Sequence, residues 1–228
     1  VETIAIFINN QGRPLRTNIS SITQGIHIEQ AQDYIFDKKL PYWIIYRNNE
    51  FDSVCKRLDF NVFTVFRDRQ ITNKLLSGKG DIRVLKSRNI SDNGKSVIDI
   101  DGYDSYISEA TAKSLSVFEY LHRDDVYLTP NMTYKPRMMR KPKDTLVNGS
   151  VAILIPKRQI IPTDDQLEYF STQEYREFYR LARNYQTRSL NVDACSVFFY
   201  GLLRKTEKPD PITETLCEQE NIQISMFI

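Results

Sequence analysis

Two short runs, Phe66-Arg67-Asp68-Arg69-Gln70-Ile71 and Val84-Leu85-Lys86-Ser87-Arg88-Asn89-Ile90, set cationic and amide side chains between apolar anchors. Side chains of these types can read duplex DNA. Arg grips the O6/N7 edge of guanine with two parallel bonds, Asn and Gln do the same for the N6/N7 edge of adenine, and Lys or Ser holds phosphate. Arg67, Arg69 and Gln70 form the first cluster, for which the competing reading is a surface Arg-Asp-Arg charge network. Lys86, Ser87, Arg88 and Asn89 form the second, and the recurrence of one chemistry at two separated sites favours DNA contact. A third basic stretch contains Lys135, Arg137, Arg140, Lys141 and Lys143 with no acid among them, preceded by Asn131 and Tyr134. It suits an arm that tracks phosphates or enters the minor groove, against the alternative of a solvated loop. Lys74 is a further candidate backbone contact. Arg188 is another, although with Asn191 and Asp193 it could equally cap the turn after a helix.

Motifs for catalysis are missing. The chain has no Gly-x-x-x-x-Gly-Lys phosphate loop, no Gly-x-Ser-x-Gly, no His beside a nucleophile, and no Asp/Asn-Pro-Pro-Tyr segment. A metal-dependent nuclease would need clustered carboxylates plus a Lys, and Asp99, Asp101 and Asp104 with Lys95 or Lys113 offer only a nonspecific version. Cys55, Cys195 and Cys217 are odd in number and far apart, so neither a disulfide framework nor a zinc site is expected, and a reducing cytoplasm fits best. His27 and His122 have no second ligand nearby in sequence and are assigned no chemistry, and no metal is expected.

The elements that must position the basic clusters belong to an ordinary globular composition, with 41% hydrophobic and 26% charged residues. No apolar run approaches the roughly 18 residues that span a bilayer, so no membrane role is expected. The net charge is only +2, but it is segregated. Basic residues gather from Arg67 to Lys95 and from Lys135 to Lys143, while acids gather at Asp99-Asp101-Asp104, Asp124-Asp125, Asp164-Asp165 and Glu214-Glu218-Glu220. Such segregation predicts one positive face.

Thr3–Ile8 and Tyr42–Tyr46 read as strands, with a short helix or loop over residues 29–37 between them. Phe51, Val54, Cys55 and Leu58 predict a helix over residues 49–58. From Phe60 onward short strands alternate with turn chemistry: Phe63–Phe66, Ile82–Leu85, Ser96–Ile100, Val126–Leu128 and Val151–Ile155. Asn93-Gly94 marks a hairpin turn, and Asn148-Gly149 introduces the last of these strands. Pro136 and Pro142 keep the basic stretch between them from forming a regular ladder. Thr163 with Gln166 has the form of a capping box and Ser171-Thr172-Gln173-Glu174 repeats it, so helix follows. Val197–Gly201 reads as a final aromatic strand, and a polar tail follows Lys208-Pro209-Asp210-Pro211. Val1 in place of Met suggests a piece of something larger.

The motifs in order, Phe66–Ile71, Arg83–Ile90, Gly102-Tyr103-Asp104, Leu128-Thr129-Pro130-Asn131, Asn148-Gly149-Ser150, Phe178–Asn184 and Ser189–Asp193, resemble the C-terminal part of adenine-specific (N6) DNA methyltransferases of type II restriction-modification systems. The similarity runs from about Phe60 to Gly201. It implies a target recognition domain that docks on double-stranded DNA while a catalytic domain flips an adenine for methylation. The implied fold is α+β: a mixed, largely antiparallel twisted sheet or partly open barrel with packed helices, similar to the domains of type I specificity subunits. On this view residues 1–55 hold the end of catalytic-domain-like strands and a connector, residues 56–208 the recognition domain, and residues 209–228 a C-terminal tail. The implied partners are DNA, the upstream catalytic methyltransferase domain and a cognate restriction endonuclease. Because Asn-Pro-Pro-Tyr and an S-adenosylmethionine loop are missing, the chain binds no cofactor itself and does not methylate alone; S-adenosylmethionine belongs to the parent enzyme. The alternatives are a magnesium-dependent restriction nuclease fragment and a protein-interaction scaffold.

Overall fold

The computed structural model describes residues 15–22, 25–186 and 191–204. The expected strand Thr3–Ile8, the candidate Arg188 and the tail after Lys208 lie outside the described residues. The described chain opens with an antiparallel hairpin of β1 (Arg16–Ser21) and β2 (Ile26–Ala31), followed by the one-turn helix α1 (Gln32–Ile35). Helix α2 (Asn49–Arg57) forms where the apolar spacing predicts it. The Asn48 side chain accepts the Phe51 N–H at 2.9 Å, Glu50 and Asp52 occupy the first turn, and Lys56 and Arg57 the last.

After α2 come β3 (Leu58–Asp59), β4 (Phe63–Arg67), β5 (Ile82–Leu85), β6 (Ser105–Ile107), the short α3 (Glu109–Ala112), β7 (Tyr127–Pro130), β8 (Met139–Arg140), β9 (Thr145–Val147) and β10 (Val151–Pro156). Helices α4 (Asp164–Tyr169) and α5 (Gln173–Ala182) and the strand β11 (Leu202–Leu203) complete the described chain. The strands form four separate sheets, so the fold is α+β, and among the described residues no sheet closes into a barrel. The largest is antiparallel with order β4-β10-β7-β8. A three-stranded sheet, β6-β5-β9, pairs β5 antiparallel to β6 and parallel to β9.

Strand β10 explains the layering. Its sequence Val151-Ala152-Ile153-Leu154 is apolar on both faces, as a strand buried on both sides requires. Ala152 and Leu154 face an aromatic-rich core shared with α2 and α5, in which Phe51, Phe178 and Phe199 pack together. Val151 and Ile153 face a second, mainly aliphatic core closed by β5, β9 and the 3-10 turn at Ser116–Tyr120. The four-stranded sheet is therefore the middle layer of three. Each fully buried Leu or Ile on it contributes roughly 1.5–3 kcal/mol.

Several local expectations change under tertiary packing. Tyr42–Tyr46 is not a strand but a loop: Ile44 is fully buried, and the Ile45 N–H donates to the Asn184 side chain at 2.7 Å, so a helix-end amide takes the place of a ladder partner. Ser96–Ile100 forms only the single bridge Ile90–Val97, because the Ile98 carbonyl instead accepts from the Asn89 and Arg83 side chains. The Asn93-Gly94 turn is present, with Gly94 at φ +70°, where a Cβ would also lie 2.6 Å from the Met138 carbonyl. Val197–Gly201 is not a strand: Ser196–Phe199 winds into a 3-10 turn because Asp193 Oδ1 accepts the Ser196 N–H at 2.7 Å. The winding packs Phe198 and Phe199 against each other and both against Phe60. The basic stretch holds a two-residue edge strand, β8, between the two prolines. Thr163 makes the expected capping box, and Thr172 caps α5 separately, so the chain forms two helices.

Candidate nucleic-acid interface

The turn Asn148-Gly149-Ser150 lies where β9 passes into β10, and it gathers three other segments around it. Asn148 Oδ1 accepts from the Ser150 N–H and hydroxyl, which fixes the turn internally. Ser150 Oγ accepts the Ser87 N–H at 3.0 Å, and its carbonyl accepts the Asn131 N–H at 2.9 Å. At Gly149 a Cβ would stand 2.9 Å from the Asp68 carbonyl, so only glycine admits the chain leaving β4 this closely. Through these contacts the C-terminal ends of β4, β5, β7 and β9 and the start of β10 all lie at one end of the sheets. Residues 67–70, 86–89 and 131, distant in sequence, meet there.

At the end of β4, Asp68 is 2% exposed, and its carboxylate accepts the Gln70 and Ile71 N–H groups at 3.2 and 2.8 Å. The carboxylate is thereby committed to the turn. Among the described residues neither Arg67 nor Arg69 has a carboxylate partner, so the expected alternative of an Arg-Asp-Arg network does not form. Arg69 is exposed and Arg67 half-buried.

At the end of β5, a 3-10 turn runs over Ser87–Asn89. Asn89 is fully buried: its Oδ1 accepts the Lys86 N–H and its Nδ2 donates to the Ile98 carbonyl and to Asp104. This holds the turn shut and projects Arg88 outward. Lys86 Nζ donates to Ser105 Oγ at 2.9 Å and stands 3.8 Å from the Tyr103 ring centroid, while Arg88 Cζ stands 4.8 Å from the same centroid. Burial, reinforced by the charge of Arg88, lowers the Lys86 ammonium below its ordinary pKa, against the opposing pull of Asp104.

The structure separates the remaining candidates. Gln70 is exposed, and its Oε1 accepts from the Ser116 N–H and hydroxyl, so its amide oxygen joins two loops. Asn131 donates to the Gly149 carbonyl and accepts the Val192 N–H, which ties in the chain after α5. Arg137, 8% exposed, donates to the carbonyls of Ser87, Ile90 and Lys135, and burial lowers its pKa. Asn89, Asn131 and Arg137 are thus internal to the fold, corrected from outward contacts because buried polar groups must find partners, while Gln70 stays exposed with its amide oxygen engaged. Ser87 contributes its backbone here. Lys135 pairs with Asp92 at 3.7 Å, and Tyr134 is 57% exposed. Lys74 is exposed on the 3-10 turn at Asn73–Leu75, beside the three-stranded sheet. Arg140 stands opposite Tyr127, at the far end of the four-stranded sheet.

No protein-family model matches the chain, and no curated protein matches it significantly. The site therefore rests on its own geometry. Sequence reading singled out Lys86 and Arg88 but gave no role to Tyr103, which touches both. Tyr103 follows Arg88 at a distance in the chain that has no fixed spacing, and only the return of the chain through β6 brings it there.

Proposed function

We propose that this chain is the DNA target recognition module of an adenine-N6 DNA methyltransferase of a type II restriction-modification system, active in the cytoplasm on double-stranded DNA. The observation that carries the reading is the group of cations at the turn end, Arg67, Arg69, Lys86 and Arg88, none of which has a carboxylate ion pair among the described residues. The motif resemblance supplies the enzyme class and the likeness to recognition domains of type I specificity subunits. Arg88 and the two arginines at the end of β4, Arg67 and Arg69, read bases, and Lys86 supplies charge behind them. In the parent enzyme, the catalytic domain and S-adenosylmethionine carry out the transfer.

The nuclease alternative is weakened by Arg83, whose guanidinium pairs with Asp99 at 2.6 Å and Asp104 at 2.9 Å. Among the described residues no group of three or more His, Cys, Asp or Glu is placed to hold a metal ion. Incubation with supercoiled plasmid and magnesium separates the readings, since a reader leaves the plasmid intact.

The direct test is selection from a random duplex pool at low salt, followed by affinity measurement on the enriched duplex. Arg88→Ala is expected to weaken that duplex by roughly 1–3 kcal/mol, with less effect on unselected DNA. No enrichment from the pool, or equal loss on every duplex, defeats base reading.

A further inference from the structure

We infer that Tyr103 is a positioning residue that presents Arg88 to DNA in a preset orientation; this rests on the reading of the turn end as a DNA interface. Three observations converge on Tyr103. Its ring lies within 4.8 Å of the Arg88 guanidinium carbon and within 3.8 Å of the Lys86 ammonium. Its carbonyl accepts the Ser105 hydroxyl, whose oxygen in turn accepts from Lys86 Nζ. The next residue, Asp104, is gripped by both Arg83 and Asn89, so the backbone beneath the ring is anchored on two sides.

The physical consequence is preorganisation. A guanidinium stacks on an aromatic face and keeps its forked donors free at the edge, which is the geometry that a guanine edge or a phosphate accepts. An exposed arginine otherwise samples many rotamers, and ordering it on binding costs affinity. Lys86 is held by Ser105 and by the ring, so it lends charge from a fixed position, and the stacked guanidinium beside it is the group that meets the ligand. The phenol hydroxyl is not part of this device; the ring is.

Two variants and two readouts test the inference. In the intact chain without DNA, the Arg88 Nε–H resonance is expected to carry a ring-current shift that Tyr103→Leu abolishes and Tyr103→Phe retains. On the selected duplex, Tyr103→Leu is expected to weaken binding about two- to tenfold while leaving the slope of affinity against salt unchanged, because no phosphate contact is lost. Tyr103→Phe should bind as the parent does, and Tyr103→Leu combined with Arg88→Ala should bind no worse than Arg88→Ala alone. Full affinity of Tyr103→Leu, or losses that add in the double variant, overturns the positioning role and leaves the DNA reading intact. Failure of the unaltered chain to select any duplex overturns both.

Discussion

The two ends of the four-stranded sheet treat most of their cations in opposite ways. At the far end three cations are occupied: Arg123 pairs with Asp125 at 2.7 Å, Lys143 with Asp124 at 3.3 Å, and Lys141 is buried with its ammonium donating to the carbonyls of Leu121, Arg123 and Pro142, while Arg140 beside Tyr127 is exposed and has no carboxylate partner among the described residues. Arg123 holds the Asp125 carboxyl below its ordinary pKa through the hydrogen bonds it donates. At the turn end, Asp68 faces inward, Asp104 is occupied by Arg83 and Asn89, and Arg67, Arg69 and Arg88 are left without carboxylates among the described residues. A count of basic residues along the chain does not distinguish these ends. What distinguishes them is where each acid is used, because an unpaired cation keeps its attraction for phosphate and a paired one has largely cancelled it.

The largest effect that would sharpen this contrast is at Arg137, a cation of the turn end that works inward. Arg137→Ala leaves the buried Ile90 carbonyl without its side-chain donor and the Ser87 carbonyl with only the Ile90 N–H, and we expect a loss of about 3 kcal/mol in stability, read by chemical denaturation. If that variant keeps its stability and loses DNA affinity, Arg137 belongs to the interface after all. Next, Arg67→Ala with Arg69→Ala should leave the melting temperature nearly unchanged and weaken the selected duplex by roughly 1–3 kcal/mol, with less effect on unselected DNA. Unchanged affinity would mean these two arginines do not touch DNA, and the comparison of the two ends would fail on its main term.

A smaller effect distinguishes the buried Lys141. Burial lowers its pKa to about 8, with Asp144 and Asp124 acting in the opposite direction. The unfolded chain holds this proton up to about 10.4. Between those values the unfolded state binds more protons, so the contribution of Lys141 to stability rises with pH from about 8 to 10 and is flat below that window. Unfolding midpoints of the parent and Lys141→Met should therefore diverge in slope only above pH 8, and parallel curves across that range would refute the shift. The smallest effect is expected at Arg123 and Lys143: alanine at either should change stability by no more than about 1 kcal/mol and leave DNA affinity unaltered. A clear affinity loss at either would show that pairing with an acid does not silence a cation here.

Short-range features were legible before any packing was known. The helix from Asn49, the strands β4, β5 and β10, the Gly94 turn and the Thr163 capping box each depend on a few consecutive residues, and each formed where the pattern placed it. The errors fell where a distant group competed. Asn89 is an amide of the kind that reads adenine, yet Ile98 and Asp104, contributed by a later loop, occupy its carboxamide. Val197–Gly201 has the composition of a strand, yet Asp193 caps it into a 3-10 turn before any ladder can form.

For the candidate site, the sequence by itself determined which chemistry was on offer: arginines and lysines in clusters, carboxamides beside them, and no catalytic motif. The tertiary structure decided which of those groups remain available, by drawing Asn89, Asn131 and Arg137 into the fold, engaging the Gln70 amide oxygen with Ser116 and setting Tyr103 beneath Arg88. The reason is physical. A polar side chain near a buried backbone must satisfy whichever donor or acceptor the folded chain brings to it, and that partner comes from a segment whose arrival no local spacing encodes.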